Sequence, residues 1–497
     1  MRDNAYMRDL PARDPVDWDA VNAELISIVG KDHFFTSETD KLVHSSDVFW
    51  IPNLWVDRKR NPLKPDCIVQ PDSVEEIQAI LALANMMKIP VVPWGGGSGS
   101  QGGILPVFGG IMLDLKRLNR ILDLDTVSNT VTVEAGINNT LLEKALNEKG
   151  LTFPHYPASA NCASVGGFIA HRGSGTLSTK YGKIEDLVLS LEAVLPSGKI
   201  VTTLPVPKHA SGPGLHELFI GNEGTFAIVT KATLQIFDMP EERRFNAYLF
   251  PTLEAGLEAG KQMMHQGAGL SALRLYDPGS TKTKVGDVLG VKGTDEEASY
   301  MVVGYDGFSE LIDVQENIVN RIAKDLKAKN LGRKGGERWW ESRYHFYYPP
   351  YEFRLPWMYG TMDTVCKYKD MKALYRAKKE AIETEFKDKG IRYIAHFSHW
   401  YKWGVMVYDR FIIEEPPQDP HEAIRLHNEI WNMSVRISLA HGGVINEHHG
   451  VGLKLGRFVT EEYGRDGFEL LKQIKDAVDP NAILNPGKMG FGPGALR

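Results

Sequence analysis

The chain has 497 residues, and its 57 basic and 63 acidic side chains give a formal net charge of −6. Hydrophobic residues make up 43% of the chain, which is enough apolar surface to exclude a generally disordered protein. A nucleic-acid-binding protein needs a basic face, and the acidic balance argues against that class. At roughly 150 residues per domain, the length predicts about two to four domains.

The small number and wide spacing of the cysteines predict a protein of a reducing compartment. Cys67, Cys162 and Cys366 are odd in number and far apart, which argues against a disulfide framework. The first residues lack the basic and then apolar pattern of a signal peptide, and the last three are not a peroxisomal Ser-Lys-Leu address. There is no run of about 20 apolar residues, so we expect no integral membrane segment. We expect a cytoplasmic protein that binds no nucleic acid, with a homodimer left open.

The first 60 residues are polar and mixed, with a helical pattern at 21–28, and a β-α-β pattern then begins. Residues 66–71 are predicted to form a strand, and Ser73 with Glu76 has the form of a capping box that opens a helix. A strand at 89–93 completes this unit of about 30 residues. Further strands, a helix and a hairpin are predicted at 111–115, 121–124, 131–134, 141–148, 187–195, 199–203 and 227–236. We therefore predict an α+β domain over 61–240, preceded by an N-terminal segment over 1–60.

The pattern changes at residue 241 and predicts a second α+β domain. Long amphipathic helices are predicted at 253–266, 308–329, 370–387 and 421–440, and strands at 246–250, 300–304 and 404–413. Residues 331–359 between them are rich in aromatic side chains and arginine.

Eight of the 48 glycines lie within residues 95–110. Residues 97–102 formally match the dinucleotide-binding pattern G-x-G-x-x-G, which requires a following helix whose N-terminus holds a pyrophosphate. Pro106 and the Gly109-Gly110 pair interrupt any helix there, so the Rossmann interpretation fails. Consecutive glycines still allow backbone N–H groups to form an anion-binding nest, and Ser98 and Ser100 add hydroxyl donors. A diphosphate is the expected ligand, and a flexible surface loop is the alternative.

Five further segments, at 157–159, 163–167, 171–175, 181–188 and 221–230, follow the glycine loop in a specific order. Their order and spacing resemble the FAD-binding domain of the vanillyl-alcohol oxidase / p-cresol methylhydroxylase superfamily, and the resemblance covers almost the whole chain. It implies a two-domain α+β fold of the p-cresol methylhydroxylase type with FAD as cofactor, attached covalently or non-covalently. It also implies that residues 241–440 form a cap or substrate domain and that residues 441–497 return to the FAD domain.

The same resemblance implies which residues bind the cofactor. The glycine loop would wrap the diphosphate with Trp94, Gly95, Gly96, Gly97, Ser98, Gly99 and Ser100. The flavin and the diphosphate would be lined by Pro157, Ala158, Ser159, Ser164, Gly167, His171, Gly173 and Ser174. Glu223 and Ile228 would lie near the ribityl or adenine end.

The second half resembles the alkyldihydroxyacetonephosphate synthase branch more closely. Residues 272–277 resemble the arginine segment of that branch, residues 400–404 its active-site tyrosine segment, and residues 446–452 its triple-histidine segment. Two features depart from this branch. Glu447 stands in place of the first of the three histidines, and the tail at 479–488 is similar to those of flavin oxidases and dehydrogenases of the superfamily.

Four residues are the candidates for catalysis. Oxidation of an alcohol needs a group that takes the hydroxyl proton, and a near-neutral histidine or an activated tyrosine suits this task, so we select Tyr401, His448 and His449. If residues 446–450 form a strand, the two adjacent histidines point to opposite faces. Arg274 lies in an alternating apolar pattern and could clamp a carboxylate or phosphate of the substrate. A structural histidine and a surface salt bridge are the alternative interpretations.

The sequence partly matches two other kinds of site. His396 and His399 lie where related dehydrogenases place metal ligands, but the glycine- and aspartate-rich core of that motif is absent, so we predict no metal. Phenol oxidases use tyrosine and arginine to stabilise a phenolate, and the candidates for that role here are Arg343, Tyr344, Tyr347, Tyr348 and Arg354.

Together these features predict an FAD-dependent oxidoreductase that transfers hydride from an alcohol, a 2-hydroxy acid or a phenolic substrate to flavin N5. The substrate is expected to be a small molecule, anionic or aromatic. A non-redox FAD-dependent transferase like alkyldihydroxyacetonephosphate synthase is the first alternative. A flavin-binding protein without catalytic activity is the second.

Overall fold

Four sheets organise the part of the chain that the structure, a computed structural model, describes, namely residues 15–59, 63–282, 290, 295–344 and 355–491. The first elements are α1 (Trp18–Val29), β1 (Phe34–Phe35), α2 (Glu38–Val43), α3 (Trp50–Asp57), β2 (Cys67–Val69), α4 (Val74–Met87), β3 (Val91–Trp94), β4 (Ile111–Asp114), β5 (Ile121–Asp125) and β6 (Thr130–Glu134). Next come α5 (Asn139–Asn147), β7 (Leu151–Thr152), α6 (Val165–Ala170), α7 (Ser178–Tyr181), α8 (Ile184–Leu187), β8 (Val188–Val194), β9 (Ile200–Thr202), β10 (Ile228–Gln235) and β11 (Phe237–Asp238).

The second half continues with longer elements. They are β12 (Glu242–Phe250), α9 (Leu253–His265), β13 (Ala272–Tyr276), α10 (Pro278–Ser280), β14 (Ser299–Gly307), α11 (Ser309–Asp325), β15 (Lys329–Gly332), α12 (Arg333–Ser342), β16 (Met358–Lys367), α13 (Tyr368–Glu385), β17 (Arg392–Trp400), β18 (Gly404–Ile413), α14 (Pro420–Ala440) and α15 (Val459–Val478).

The first sheet has the order β1-β2-β4-β3, with β2, β4 and β3 parallel. Helix α4 begins where the sequence predicts, because Ser73 Oγ accepts a hydrogen bond from Glu76 N at 3.2 Å. The return bond of the capping box goes one residue earlier than expected, from Asp72 N to Glu76 Oε2. No helix follows the glycine loop, and the chain runs through bends and turns into β4. The glycine loop therefore lacks the following helix that a Rossmann site requires.

The second sheet is antiparallel, with the order β5-β6-β10-β8-β9, and it contains the predicted hairpin of β8 and β9. The C-terminal tail lies along the first sheet. Val91 N donates to Ile483 O, and Asn485 N donates to Val91 O, both at 2.8 Å. These bonds support the proposal that residues after 440 return to the FAD domain.

The largest sheet has seven antiparallel strands in the order β15-β12-β14-β13-β17-β18-β16. Side chains alternate between its faces. On β17, Tyr393, Ala395 and Phe397 join the apolar core with the covering helices, whereas His396 and Ser398 line a cavity on the other face. The alternation thus provides a second, polar face on which a site can be built.

Sequence patterns missed β15, β16 and β17 in this sheet. The cavity-facing positions of β17 are Arg392, Ile394, His396 and Ser398, which weaken the usual apolar signal of a strand. Within the described part of the chain, no helix is long and apolar enough to cross a membrane.

Lys378 of α13 and Asp409 of β18 form an ion pair that is almost wholly removed from solvent. Lys378 Nζ lies 2.9 Å from Asp409 Oδ2, and the two side chains are 1% and 0% exposed. Removing one partner leaves a buried charge, so Lys378→Met is expected to lower the free energy of unfolding by about 3–5 kcal/mol, seen as a lower thermal midpoint. The control is Lys472→Met, because Lys472 pairs with Asp476 at the surface and should cost less than about 1 kcal/mol. Equal losses in the two variants contradict the prediction.

His155 makes stability depend on pH. It is fully buried beside Phe153 and Phe168, neither ring nitrogen has a hydrogen-bond partner in the described residues, and burial lowers the pKa of His155 to about 3. The unfolded chain takes up a proton at this residue below about pH 6.5 and the folded chain does not, so stability is lost as the pH falls through that range. His155→Leu is expected to recover about 2 kcal/mol at about pH 5 relative to neutral pH. Denaturant unfolding at both pH values checks this, with His209→Leu in an exposed loop as the control that should recover nothing.

Candidate active site

Two cavities meet where the glycine loop faces the seven-stranded sheet. The smaller cavity lies between the glycine loop and the segments around residues 163–171 and 222–229. The larger one extends over the polar face of the seven-stranded sheet. Both are lined by Ser98, Gly99, His171 and His449. These residues therefore mark the place where a ligand in one cavity can contact a ligand in the other.

The structure brings most of the sequence-predicted site residues to these cavities. The smaller cavity is lined by Trp94, Gly95, Gly96, Gly97, Ser98, Gly99, Ser164, Gly167, His171, Glu223 and Ile228. The larger cavity is lined by Ser98, Gly99, Ser100, Pro157, Ala158, Ser159, His171, Ser174, Arg274, His448 and His449. Gly173 and Tyr401 line neither cavity.

The lining of the smaller cavity fits FAD. Trp94, Ile104 and Ile228 offer apolar surface for a flat ring system, and Ser98 and Ser164 offer hydroxyl groups. The carboxylates of Asp47 and Glu223 are acceptors for the hydroxyl groups of a ribityl chain or ribose. No lysine or arginine lines this cavity in the described residues, so a diphosphate would be held by backbone N–H groups and hydroxyls.

Close backbone packing explains why glycine occupies the start of the loop. A Cβ atom at Gly95 would lie 2.3 Å from Ser164 Oγ, and one at Gly96 would lie 1.9 Å from the carbonyl oxygen of Cys162. The loop is therefore pressed directly against the segment at 162–164, and the two segments form one wall of the smaller cavity.

Asp363 of β16 organises the histidine segment. Its Oδ2 accepts hydrogen bonds from Glu447 N at 2.7 Å and His448 N at 2.9 Å, and its Oδ1 accepts from Asn446 Nδ2 at 3.1 Å. His449 Nδ1 lies 2.6 Å from Oδ1, and because a carboxylate only accepts, Nδ1 carries the proton. The residues 446–449 are thus bound by one buried carboxylate.

This geometry corrects one expectation. Residues 446–450 form a series of bends and not a strand, so His448 and His449 do not point to opposite faces. Their ring centroids are 3.9 Å apart, and both rings contact Asp363. The physical reason is that Asp363 binds the backbone N–H groups of Glu447 and His448, which would otherwise be available for strand pairing.

The two histidines differ in charge. Burial disfavours the charged form of His448, but the opposing effects of Asp363 and Glu447 are larger and raise the pKa of His448 to about 9. Burial holds the pKa of His449 below the ordinary histidine value, although Asp363 acts in the opposite direction. The pKa of Asp363 lies well below its usual range despite burial, because of His449 and His448. At neutral pH the cluster therefore contains a charged His448 and a neutral His449.

A row of four side chains crosses the larger cavity from β13 to β18. Arg274 Nη2 lies 2.5 Å from His396 Nε2, the His396 ring stacks on the Tyr408 ring with centroids 4.6 Å apart, and Arg410 Nη2 donates to the Tyr408 hydroxyl at 3.1 Å. Burial, with the charge of Arg274 added, holds the pKa of His396 well below its usual value, which leaves Nε2 neutral as an acceptor for Arg274. Tyr408 in turn lies with its ring centroid 5.2 Å from that of His449. The row therefore connects Arg274 to the histidine pair.

Tyr401 lies behind the histidines. Its hydroxyl donates to Glu447 Oε1 at 2.5 Å, and its ring stacks on Trp403 with centroids 5.2 Å apart. The aromatic segment contributes Trp339, Arg343, Trp357 and Tyr359 to the larger cavity. Tyr344 contacts the guanidinium of Arg343, and Tyr347, Tyr348 and Arg354 lie outside the described residues.

Sequence reasoning missed Asp363, Tyr408 and Arg410. Tyr408 and Arg410 carried a signal, since they lie two residues apart between Val407 and Phe411 of β18 and so share its polar face. Asp363 carried no such signal in the sequence, because more than 80 residues separate it from the histidines that it binds.

Two groups of side chains have the donor atoms of a metal site. The donor atoms of Asp363, His448 and His449 lie within 4.8 Å of one another, as do those of His399, Glu447 and His448. We assign no ion to either group, because the carboxylate oxygens already accept hydrogen bonds from protein groups. The absence of a metal stays a prediction.

Comparison with known proteins identifies the family. Residues 65–204 match the FAD binding domain, and residues 239–489, about half of the chain, match the C-terminal domain of FAD linked oxidases. The chain belongs to the FAD-linked oxidase family. This confirms the sequence-based resemblance and FAD as the cofactor.

Two relatives and one solved structure illustrate the range of the FAD-linked oxidases. Alkyldihydroxyacetonephosphate synthase of Dictyostelium discoideum is 30% identical over 86% of this chain and 73% of the relative. A probable mitochondrial D-lactate dehydrogenase of Danio rerio is 28% identical over 86% of this chain and 84% of the relative. The structure of p-cresol methylhydroxylase with substrate bound has a TM-score of 0.77 at 18% identity, covers 96% of this chain and 97% of that chain, and confirms the predicted two-domain fold.

Gly96 provides a direct test of the cofactor cavity. A methyl group at Gly96 overlaps the carbonyl of Cys162, and overpacking of this kind costs about 1–3 kcal/mol. Gly96→Ala is therefore expected to weaken FAD binding by roughly 10- to 100-fold, measured by titrating the apoprotein with FAD and following flavin fluorescence. Gly214→Ala is the control, because Gly214 lies in an exposed loop, lines neither cavity, and its Cβ would have His216 Cε1 as its nearest neighbour, at 3.4 Å. Unchanged affinity in Gly96→Ala contradicts the placement of FAD.

Proposed function

We propose that this FAD-linked enzyme oxidises a hydroxyl-bearing carbon of an anionic substrate, with a 2-hydroxy acid as the simplest member of that class. The observation that carries the proposal is the Asp363–His449 pair at the junction of the two cavities. A carboxylate that accepts from Nδ1 holds the imidazole in the tautomer whose Nε2 can take a proton.

The charge of the larger cavity supports an anionic substrate. Four arginines line it, Arg274, Arg343, Arg392 and Arg410, and no carboxylate does so among the described residues. Arg274 is the innermost candidate for pairing with a carboxylate or phosphate, because it lies beside His396 in the row that leads to His449. Its Nε has no hydrogen-bond partner in the described residues and remains available to a ligand.

Each of these residues has a separate role in the proposed reaction. Arg274 binds the anionic group and orients the substrate, and His449 Nε2 accepts the hydroxyl proton as the carbonyl forms. FAD, when bound, supplies the acceptor for the two electrons that leave the carbon as a hydride. Tyr408 lies beside both histidines and contributes a hydroxyl that Arg410 orients. Tyr401 acts through Glu447 and is a positioning residue.

A second candidate function is the non-redox transferase reaction. The 30% identical relative named a synthase favours it, as do Arg274 and the two cavity histidines. An aromatic or phenolic alcohol is a further substrate candidate, supported by Tyr156, Tyr276, Trp339, Trp357 and Tyr359 in the lining.

Anaerobic mixing of the holoenzyme with candidate substrates distinguishes these reactions. A 2-hydroxy acid is expected to bleach the flavin absorbance in one turnover and to yield the matching oxo acid, with no added electron acceptor. A phenolic alcohol that bleaches faster would assign the aromatic class. A phosphorylated acyl ketone that releases its acyl group as a carboxylic acid and takes up the alkoxy group of an added alcohol, without lasting bleaching, would replace the proposal by the transferase.

The role of His449 is tested in the same assay. His449→Gln removes the proton acceptor and is expected to slow bleaching by about 10²- to 10⁴-fold with little change in the substrate concentration needed for half-saturation. His209→Gln in the exposed loop at 203–214 should leave the rate unchanged. The parent rate is expected to fall as the pH is lowered through the depressed pKa of His449 and not at neutral pH. A His449→Gln variant that bleaches at the parent rate refutes the assignment.

A further inference from the structure

The carboxylate of Glu447 joins three parts of the chain. Oε1 accepts from Tyr401 Oη at 2.5 Å and from Ser174 Oγ at 3.4 Å, and Oε2 accepts from His399 Nδ1 at 3.0 Å. Ser174 belongs to the segment near the cofactor cavity, and His399 belongs to β17. The Glu447 side chain is 2% exposed, so this charge is compensated by the protein.

The same carboxylate reaches His448. His448 Nδ1 lies 2.8 Å from Glu447 Oε2 and 3.1 Å from Asp363 Oδ2. His449 Nδ1 has one carboxylate partner, Asp363 Oδ1 at 2.6 Å. One ring nitrogen thus faces two buried carboxylates, and the neighbouring ring faces one. A positive charge is therefore stabilised more strongly on His448 than on His449.

The remaining groups around His448 lie on several elements. Within the described residues they are His399 on β17 (ring centroids 5.0 Å apart), Tyr408 on β18 (5.8 Å), His449 (3.9 Å), His171, whose Nδ1 lies 2.9 Å from the His448 carbonyl oxygen, and Lys183, whose Nζ lies 3.5 Å from Glu447 Oε1. None of these adds a negative charge at neutral pH. Burial lowers the pKa of His171 to about 4 and holds the pKa of His399 below its ordinary value, so both rings are neutral.

Adjacent imidazoles exclude a second proton. With ring centroids 3.9 Å apart, His448 and His449 repel each other if both are charged. A charge fixed on His448 therefore keeps His449 neutral and able to accept a proton. The opposite directions of the pKa values of His448, which is raised, and His449, which is lowered, agree with this division.

We propose that Glu447 is a positioning residue that fixes His448 as an imidazolium and thereby reserves His449 as the proton acceptor. The charged His448 then serves as a permanent donor in the larger cavity, on the side where Arg274 binds the anionic group. The role given to His449 rests on the proposed function, but the charge state of His448 does not.

Glu447→Gln tests the proposal, because it keeps the size of the side chain and removes its charge. In holoenzyme labelled with ¹⁵N-histidine, the His448 ring is expected to titrate near pH 9 in the parent, with His448→Gln used for assignment. In Glu447→Gln the pKa of His448 is expected to fall by about 1–3, as for loss of a nearby opposite charge. Flavin bleaching by substrate should then weaken above neutral pH and recover at lower pH, where His448 is charged again. A purely structural role of Glu447 gives no recovery at low pH.

Glu462→Gln is the matched control. Glu462 is a partly buried glutamate near the histidine segment, and its carboxylate accepts from Ile445 N. This variant should leave the titration of His448 where it is in the parent. Glu447→Asp keeps the charge and should preserve most of the raised pKa.

Several outcomes decide the question. The proposal is overturned if the parent His448 titrates near the ordinary histidine value, or if Glu447→Gln leaves its titration unchanged. The parent titration alone decides the first point, even if Glu447→Gln does not fold. If His448 titrates as expected but no hydroxy acid bleaches the flavin, the proposed function fails while the charge assignment stands.

Discussion

The carboxylate of Asp363 is the interaction on which the candidate site depends. It accepts hydrogen bonds from two backbone N–H groups, one side-chain amide and one imidazole of the segment 446–449. A buried carboxylate with this many partners is stable as an anion, which a protonated aspartate in the same place would not be. The C-terminal segment is thereby attached to the seven-stranded sheet before it continues to the cofactor cavity, where Glu223 accepts from Gly452 N at 2.7 Å.

The two binding spaces follow from this attachment. Antiparallel strands place apolar residues against the covering helices and polar residues on the opposite face, so the sheet alone provides Arg274, His396, Tyr408 and Arg410. The sheet provides no residue at the cofactor side of this space. His449 reaches the junction only because the segment 446–449 is bent around Asp363, and its lining of both cavities is therefore a consequence of one acid on β16.

Local patterns in the sequence were sufficient to predict much of the secondary structure in the first half of the chain. The helix start at Ser73, the hairpin around residues 195–199 and the glycine loop without a following helix are all decided by a few adjacent residues. The histidine segment was found through resemblance, but its bent shape could not be, because the acid that imposes it lies on another strand. Tyr401 shows the same limit of sequence reasoning, because the residue type does not reveal its contacts in the fold. Its residue type suits catalysis, yet its hydroxyl is bound to Glu447 and its ring lines neither cavity.

The distribution of charged residues between the two cavities also affects which of two anionic ligands binds in which cavity. FAD carries a diphosphate, and the proposed substrate carries a carboxylate or phosphate, so arginines in both cavities would attract either ligand to either place. In the described residues the arginines line only the larger cavity, whereas the smaller one has backbone N–H groups, hydroxyls and the carboxylates of Asp47 and Glu223. A free anion such as the substrate is a poor ligand there, because no lysine or arginine of the described residues lines this cavity and any charge on the two acids repels it. FAD can still bind, because its rings and hydroxyl groups meet surfaces that a small anion does not use. Selectivity between the cavities therefore arises from placing the fixed positive charge on the sheet and keeping it out of the glycine loop.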